Sequence, residues 1–203
     1  NVQGNVVNNT MRQVMAKIPG IHVWESDPSG IQIGIAARGL SPNRSWEFNI
    51  RKDGIITNTD MYGYPASHYN IPIEAVERIE LVRGTGSLQY GAQFGGMINY
   101  VRKQPDSTKT VAIESINTVG SYGLLSTYNG ISGKIGKIRY TSWFNKKSVD
   151  GYRKNSNSDF NAEAISLFYD VSKKLYFKLE EDKATMVEYF FGSNYISTCF
   201  CYN

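Results

Sequence analysis

Cysteine and histidine are almost missing from this chain, and the few present fall in the wrong places for a metal site. The two cysteines, Cys199 and Cys201, stand at the far C-terminal end with one residue between them. A disulfide framework would need Cys in the body of the fold, and a zinc site would need more ligands. The two histidines, His22 and His68, are far apart in sequence. No protein-ligated metal and no cofactor are therefore expected. No stretch approaches the roughly 18 consecutive apolar residues of a membrane helix, which excludes a helical span but not a β-barrel, whose strands alternate. Lys/Arg runs are also missing. The net charge of +4 is mild and gives no reason to expect a nucleic-acid partner. No His stands at readable spacing from a nucleophile and a carboxylate, and there is no Gly-x-Ser-x-Gly elbow, so no enzyme is expected. Asn1 to Thr10 contain neither a charged n-region nor an apolar h-region, so no signal peptide is expected in this stretch.

What is present is foldable and β-rich. Hydrophobic residues make up 41% of the chain and charged residues 20%, too apolar for disorder. The 19 Gly and 14 Tyr favour strands joined by tight turns. The 203 residues suffice for one domain, or one domain and part of another.

The character of the chain changes near Pro105. Before it, Met11, Val14, Met15 and Ile18 form one face of a short amphipathic helix, capped by Asn9 or Thr10 and stopped by Pro19-Gly20. Ile21 and Val23 then predict a strand. Ile31, Ile33 and Ile35 predict a second, ending at Arg38-Gly39, and Trp46 to Ile50 a third. Asp53-Gly54 supplies a hairpin turn. A polar, aromatic loop from Thr57 to Asn70 follows, then a helical turn over Pro72 to Val76. A strand over Ile79 to Val82 ends at Arg83-Gly84. A Gly-rich connection from Thr85 to Gly96 leads to a last strand, Met97 to Val101.

After Pro105, strand patterns follow one another. Ile138, Tyr140, Ser142 and Phe144 alternate with Lys137, Arg139, Thr141 and Asn145. Leu175, Phe177 and Leu179 alternate with Lys174, Tyr176, Lys178 and Glu180. Such alternation fits strands between lipid and a wet lumen, and equally an antiparallel sheet with one solvated face. Segments 110–118 and 123–132 are expected to be strands joined by a short turn. Ser132 to Gly136 and Val171 to Lys173 are expected to be short turns, and Lys146 to Asp159 a long polar loop. If the first strand starts at a periplasmic rim, parity puts the long loop outside and the turns at Ser132 and Ser172 inside, as in outer-membrane barrels.

The segment Arg83-Gly-Thr-Gly-Ser-Leu-Gln-Tyr-Gly91 is not a nucleotide loop. Its third Gly is misplaced for a dinucleotide fingerprint, Gly95-Gly96 interrupts any helix, and no Lys-Ser or Lys-Thr pair follows. Together with Ile18-Pro-Gly-Ile21-His-Val23, Ile35-Ala-Ala-Arg38-Gly-Leu40, Asp53-Gly-Ile55, the run from Glu77 into that segment, and Gly95-Gly-Met-Ile-Asn99-Tyr-Val101, it resembles the plug domain of TonB-dependent outer-membrane receptors. The resemblance covers about residues 9 to 104. Tyr62-Gly-Tyr-Pro65 and Tyr90-Gly-Ala-Gln-Phe-Gly-Gly96 look most like the ferric-citrate receptor branch.

The resemblance implies an α+β plug domain over residues 1–104, followed by antiparallel transmembrane β-barrel strands over 105–203, the start of a barrel of about 22 strands. It implies a Gram-negative outer-membrane location among lipid, and import of a ferric chelate (a siderophore or ferric citrate) driven by TonB acting on an N-terminal box. No such box is recognised before Asn1. At roughly ten residues per strand, 110–203 supplies five or six strands, an incomplete barrel. The tail from Phe190 to Asn203 does not read as one of them. Arg38 and Arg83 match plug arginines that face barrel-wall carboxylates and lock the plug. Glu77 and Glu80 are expected to pair within the plug. The ligand-binding apices should carry Arg44, Asn58, Tyr62, Tyr64, His68 and Gln93. Two rivals remain: a free-standing periplasmic binding or signalling module, which needs 105–203 to close around an apolar interior, and an adhesive β-sandwich.

Overall fold

The computed structural model describes residues 10–25, 30, 33–42, 45, 48–57, 71–83, 95–151, 156–172, 175–190 and 193–202. The chain divides into two compact units, Asn1–Lys103 and Gln104–Asn203.

The N-terminal unit opens with helix α1, Thr10–Ala16, which buries Met11 and Met15. Its last turn tightens through bonds from the Lys17 N–H to the Val14 carbonyl and the Ile18 N–H to the Met15 carbonyl, just before Pro19-Gly20. Strands β1 (Ile21–Glu25) and β2 (Ile33–Ala37) form an antiparallel pair. Strand β2 ends at Ala37, directly before Arg38-Gly39, as its sequence predicts. All five of its residues are buried, because Gly34, Ala36 and Ala37 are small enough to pack on both faces.

Strands β3 (Phe48–Lys52), β4 (Ile55–Ile56), β5 (Val76–Val82) and β6 (Gly96–Arg102) form a second sheet in the order β4-β3-β6-β5. Strands β3 and β6 are parallel, and the other pairs antiparallel. The β3–β4 hairpin turns on Asp53 (φ 49°) and Gly54 (φ 83°), the doubly positive geometry that Asp-Gly favours. A single 3-10 turn, Ile73–Ala75, follows Pro72 where a helical turn is expected. Strand β5 begins at Val76, earlier than its apolar core indicates, with a register shift between Val76 and Arg78. Gly96 has φ 123°, and a Cβ there would lie 2.5 Å from the Val82 carbonyl oxygen. Phe48, Ile50, Met97, Ile98 and Tyr100 fill the core of this sheet.

The C-terminal unit is one antiparallel sheet of β7 (Ala112–Val119), β8 (Leu125–Ile135), β9 (Ile138–Val149), β10 (Ser158–Ser172), β11 (Leu175–Phe190) and β12 (Ser193–Tyr202), each paired with its sequence neighbour. Three expectations are corrected here. The turn expected at Ser132–Gly136 lies at 136–137, because β8 pairs as far as Ile135 with Ile138. The loop expected over Lys146–Asp159 shrinks to 150–157, since Lys146, Lys147 and Ser148 pair on both sides with β8 and β10. The tail is a strand: Ser193–Tyr202 pairs along Phe190–Glu181. Its Tyr, Ile, Thr and Phe are strong strand formers, and the two cysteines alternate within the same pattern.

One face of this sheet carries rows of exposed apolar side chains, and the other buries polar groups among its aromatic and small residues. Ile113 (78% exposed), Phe177 (65%) and Leu179 (67%) lie open with Ile131, Phe144, Ile165 and Leu167. Glu180, Asp182, Asn145, Ser158 and Ser166 are buried on the other face. On that face Trp143 stands opposite Gly130 and stacks on Tyr128 at 6.1 Å, covering the strip a glycine leaves bare. The exposed face also carries a closed ring of hydrogen bonds. Ser115 Oγ donates to Asn129 Oδ1 (2.8 Å), Asn129 Nδ2 to Thr127 Oγ1 (3.0 Å), Thr127 Oγ1 to Asn117 Oδ1 (2.7 Å), and Asn117 Nδ2 to Ser115 Oγ (3.2 Å).

Candidate functional site

The Asp53-Gly54 turn is where the polar groups of the N-terminal unit converge. Strand β6 ends at Arg102 beside the turn, so the Asp53 carboxylate accepts from the Arg102 backbone N–H at 2.9 Å, from Nε at 2.8 Å and from Nη2 at 2.6 Å. Both side chains are nearly buried, at 7% exposure for Arg102 and 15% for Asp53. Asn99, three residues earlier on β6, accepts from the Gly54 N–H at 2.8 Å and donates to Glu80 Oε2 on β5 at 2.9 Å. Arg78 Nε donates to the other oxygen of Glu80 at 2.9 Å. Arg51 closes the turn by donating from Nη1 to the Gly54 carbonyl at 2.7 Å and from Nε to Asn49 Oδ1 at 3.0 Å. A polar relay therefore joins the hairpin, β6 and β5. The Asn99 amide, and after it the Arg78 guanidinium, hold the Glu80 carboxyl below its usual range.

Of the sequence-derived residues, Glu80 pairs within this unit as expected. Glu77 is exposed and makes no described ion pair; it falls in the register shift between Val76 and Arg78. Asp53 was legible only as a turn residue, and Arg102 and Asn99 carried no signal beyond strand membership. Tyr100, between them, is fully buried with no hydrogen-bond partner for its hydroxyl, and burial pushes its phenol pKa up.

Arg38 directly follows β2, and Arg83 directly follows β5. Arg38 (φ 57°) and Gly39 (φ 75°) make a tight turn closed by the Leu40 N–H donating to the Ala37 carbonyl at 3.1 Å. Ala37 is the register partner of Ile21, which places Arg38 next to Gly20. The Arg83 guanidinium reaches the same glycine, where a Cβ would sit 3.7 Å from Nη1. Both arginines are exposed, and neither makes an ion pair with a described carboxylate. Arg44, Asn58, Tyr62, Tyr64, His68 and Gln93 lie outside the described residues.

In the C-terminal unit the polar face carries its own ion pairs. Arg139 Nε and Nη2 donate to Asp170 at 2.9 and 2.8 Å, with the guanidinium 4.9 Å from the Phe168 ring centre and 5.7 Å from that of Tyr176. On β11, Lys178 pairs with Glu180 two residues along the same strand. Among the described residues no group of His, Cys, Asp and Glu could hold a metal ion. A sheet in which β7 to β12 pair only with their sequence neighbours, with no closure among the described residues, contradicts the closed soluble domain required by the free-standing-module rival.

Comparison with known proteins follows these features. Residues 4–97 match the family model described as the TonB-dependent Receptor Plug Domain. The Vitamin B12 transporter BtuB of Vibrio vulnificus (strain CMCP6) is 28% identical over 101 residues, which cover 49% of this chain and 16% of that protein. The Ferric-pyoverdine M114 receptor PbuA of Pseudomonas sp. (strain M114) is 30% identical over 101 residues, 49% of this chain and 12% of that protein. The solved pyoverdine outer membrane receptor FpvA from Pseudomonas aeruginosa PAO1 superposes with a TM-score of 0.69 at 22% identity, over 89% of this chain and 26% of that one. The matched region spans less than a fifth of these curated relatives. The structural likeness extends past residue 97 and gives the fold of both units: a plug domain, and antiparallel strands of the kind found in these receptors.

Proposed function

From an N-terminal unit that is a TonB-dependent receptor plug domain, we propose that this chain is the plug and the opening wall strands of a Gram-negative outer-membrane importer of ferric chelates. One observation carries the reading beyond the plug: an open six-stranded sheet in which rows of Ile, Leu, Tyr and Phe lie exposed on one face while Glu180, Asp182 and Asn145 are buried on the other. That distribution suits a wall between lipid and a wet lumen and would be unstable in water. The connections support it. Those at 136–137 and 173–174 share one end of the sheet, and the longer 120–124 and 150–157 share the other, where the outer surface would be.

The cargo is a ferric chelate whose own donors hold the iron, a siderophore or a citrate-type complex. The proposed contacts are Arg44, Asn58, Tyr62, Tyr64, His68 and Gln93: a cation and amides for anionic oxygens, and aromatic rings for apolar edges. Coupling runs through TonB and an N-terminal box. Arg38 and Arg83 lock the plug by pairing with carboxylates of the barrel wall, ion pairs that hold position at rest and can be rehydrated on displacement. Their exposure, each directly after a strand end, supports that role.

Uptake of radioactive iron tests the reading. Cells lacking their own receptors should import ferric citrate or a ferric siderophore when given the full-length gene, and should stop when TonB is deleted. TonB-independent uptake, or none with any chelate, would overturn it. In the full-length receptor Arg83→Ala should raise protease sensitivity of the plug and leave chelate affinity within about twofold. Unchanged protease sensitivity would remove the locking role.

A further inference from the structure

We infer that Thr110, Gly133 and Tyr140 form a clasp that fixes where the tether from the plug enters the wall, and so limits how far the C-terminal end of the plug can be drawn. The limit on displacement rests on the proposed function above. The clasp itself lies wholly within the C-terminal unit. The register of β7 with β8 sets Ala112 opposite Ser132 and Ile113 opposite Ile131, and its continuation would set Thr110 opposite Lys134. The chain departs from that register by one residue, since the Lys134 N–H donates to the Lys109 carbonyl at 3.0 Å. The extra residue makes a bulge ahead of β7, and the Thr110 carbonyl loses Lys134 as its donor. Tyr140 replaces it. Tyr140 stands opposite Gly133, and its hydroxyl reaches past that glycine to donate to the Thr110 carbonyl at 2.8 Å. A Cβ on Gly133 would overlap the Thr110 carbonyl and lie 2.9 Å from the Tyr140 hydroxyl. The bond therefore needs a tyrosine on β9, a glycine on β8 and a bulge before β7.

The clasp sets the length of the tether. On the plug side the last anchor is the Lys103 N–H, which donates to the Ala75 carbonyl at 2.9 Å, next to the buried Arg102. Residues 104–108 separate it from Lys109, and they hold a defined course. Pro105 is buried, and one oxygen of Asp106 accepts from the Thr108 N–H at 2.9 Å and from its hydroxyl at 2.6 Å. The Lys109 ammonium lies 4.0 Å from the other oxygen. Fully extended, the steps from Lys103 to Lys109 reach about 20 Å at most. Opening the clasp would free the chain as far as Ala112 and add about 10 Å. At a lipid-facing wall a carbonyl without its donor is costly, which favours the closed clasp.

The test uses the full-length receptor. Tyr140→Phe keeps the ring opposite Gly133 and removes only the hydroxyl. Hydrogen exchange at the Lys134 amide, read by mass spectrometry, should quicken about fivefold, the effect of losing one neutral hydrogen bond. Amides of β8 from Leu125 to Ile131 should keep their rates. Gly133→Ala should act like Tyr140→Phe, and Tyr169→Phe, which changes an exposed tyrosine of β10, should alter nothing. Unchanged exchange in Tyr140→Phe overturns the clasp. Load on the tether is read separately with Val111→Cys, in a background of Cys199→Ser and Cys201→Ser. A membrane-impermeant maleimide labels it from the periplasm in cells with and without TonB. With Tyr140 in place the labelling rate should not depend on TonB. With Tyr140→Phe, TonB should raise it about fivefold, in proportion to the weakened bond. The same TonB dependence in both backgrounds, or none in either, overturns the displacement limit. Chelate uptake by the wild type separates the two levels. No uptake would overturn the transport reading and the displacement limit with it, while exchange still decides the clasp.

Discussion

Arg102→Met removes the guanidinium from Asp53 and keeps an unbranched apolar stem of similar length. Breaking one side of a buried ion pair costs about 3–5 kcal/mol, because the remaining charge is left without compensation. Two features move this case to the lower end. Asp53 keeps the backbone N–H of residue 102, and its side chain is 15% exposed, so some water reaches it. We expect about 3 kcal/mol. Asp53→Asn keeps the tolerance for φ 49° and the acceptor for that N–H, and should cost about 2 kcal/mol as the charge-assisted bonds weaken. The double variant has no orphaned charge and should be destabilised by only about 2 kcal/mol in total, so the coupling is about 3 kcal/mol. Hydrogen exchange of β3 and β6 amides in the full-length receptor, read by mass spectrometry, gives the local opening free energy for each variant. A cost below about 0.5 kcal/mol for Arg102→Met, or simple additivity of the single variants, would refute the claim that this pair holds the turn.

Other substitutions probe the same unit. Tyr100→Phe deletes a buried hydroxyl with no partner, so the receptor's plug should be equally stable or more stable by about 1 kcal/mol; a loss above that, seen by pulse proteolysis, would show that the hydroxyl is satisfied. Gly96→Ala should destabilise by more than about 1 kcal/mol, since φ 123° and the Val82 carbonyl both oppose a Cβ, and normal proteolytic resistance would contradict this. The lowered Glu80 pKa gives stability that is present above the unfolded carboxyl value near 4.5 and lost as pH falls through the lower folded value. The group is 41% exposed, so its part is small, about 0.5 kcal/mol or less. Acid titration of Glu80→Gln should be flatter than wild type by that amount, and an identical titration would count against the relay.

The helix, the Asp-Gly hairpin and the strand alternation were legible because each rests on neighbours in sequence. Met11 and Met15 declare one helical face, and Asp53-Gly54 names its turn without help from the rest of the chain. The Asp53–Arg102 pair was not legible, because it joins residues 49 apart that meet only when β3 and β6 align in parallel. The end of β9 was misjudged for a related reason. Lys146 to Ser148 look like loop, and only pairing on both sides makes them strand. The tail becomes a strand only through its pairing along β11, which its own short polar and sulfur-containing sequence does not announce. The approach of Arg83 to Gly20 likewise joins residues far apart in sequence.

The ring formed by Ser115, Asn129, Thr127 and Asn117 has a property none of its members has alone. Every donor in it points the same way around, and each of the four side chains is both giver and receiver. Turning over both amides and both hydroxyls would reverse the circulation and keep the same number of bonds. The patch thus has two senses of nearly equal energy, with opposite dipoles at every corner, and mutual polarisation favours reversal as one event over a single defect. Thr127→Val would break the circle into an open chain of two bonds through Ser115, while the strand pairing beneath it stayed the same.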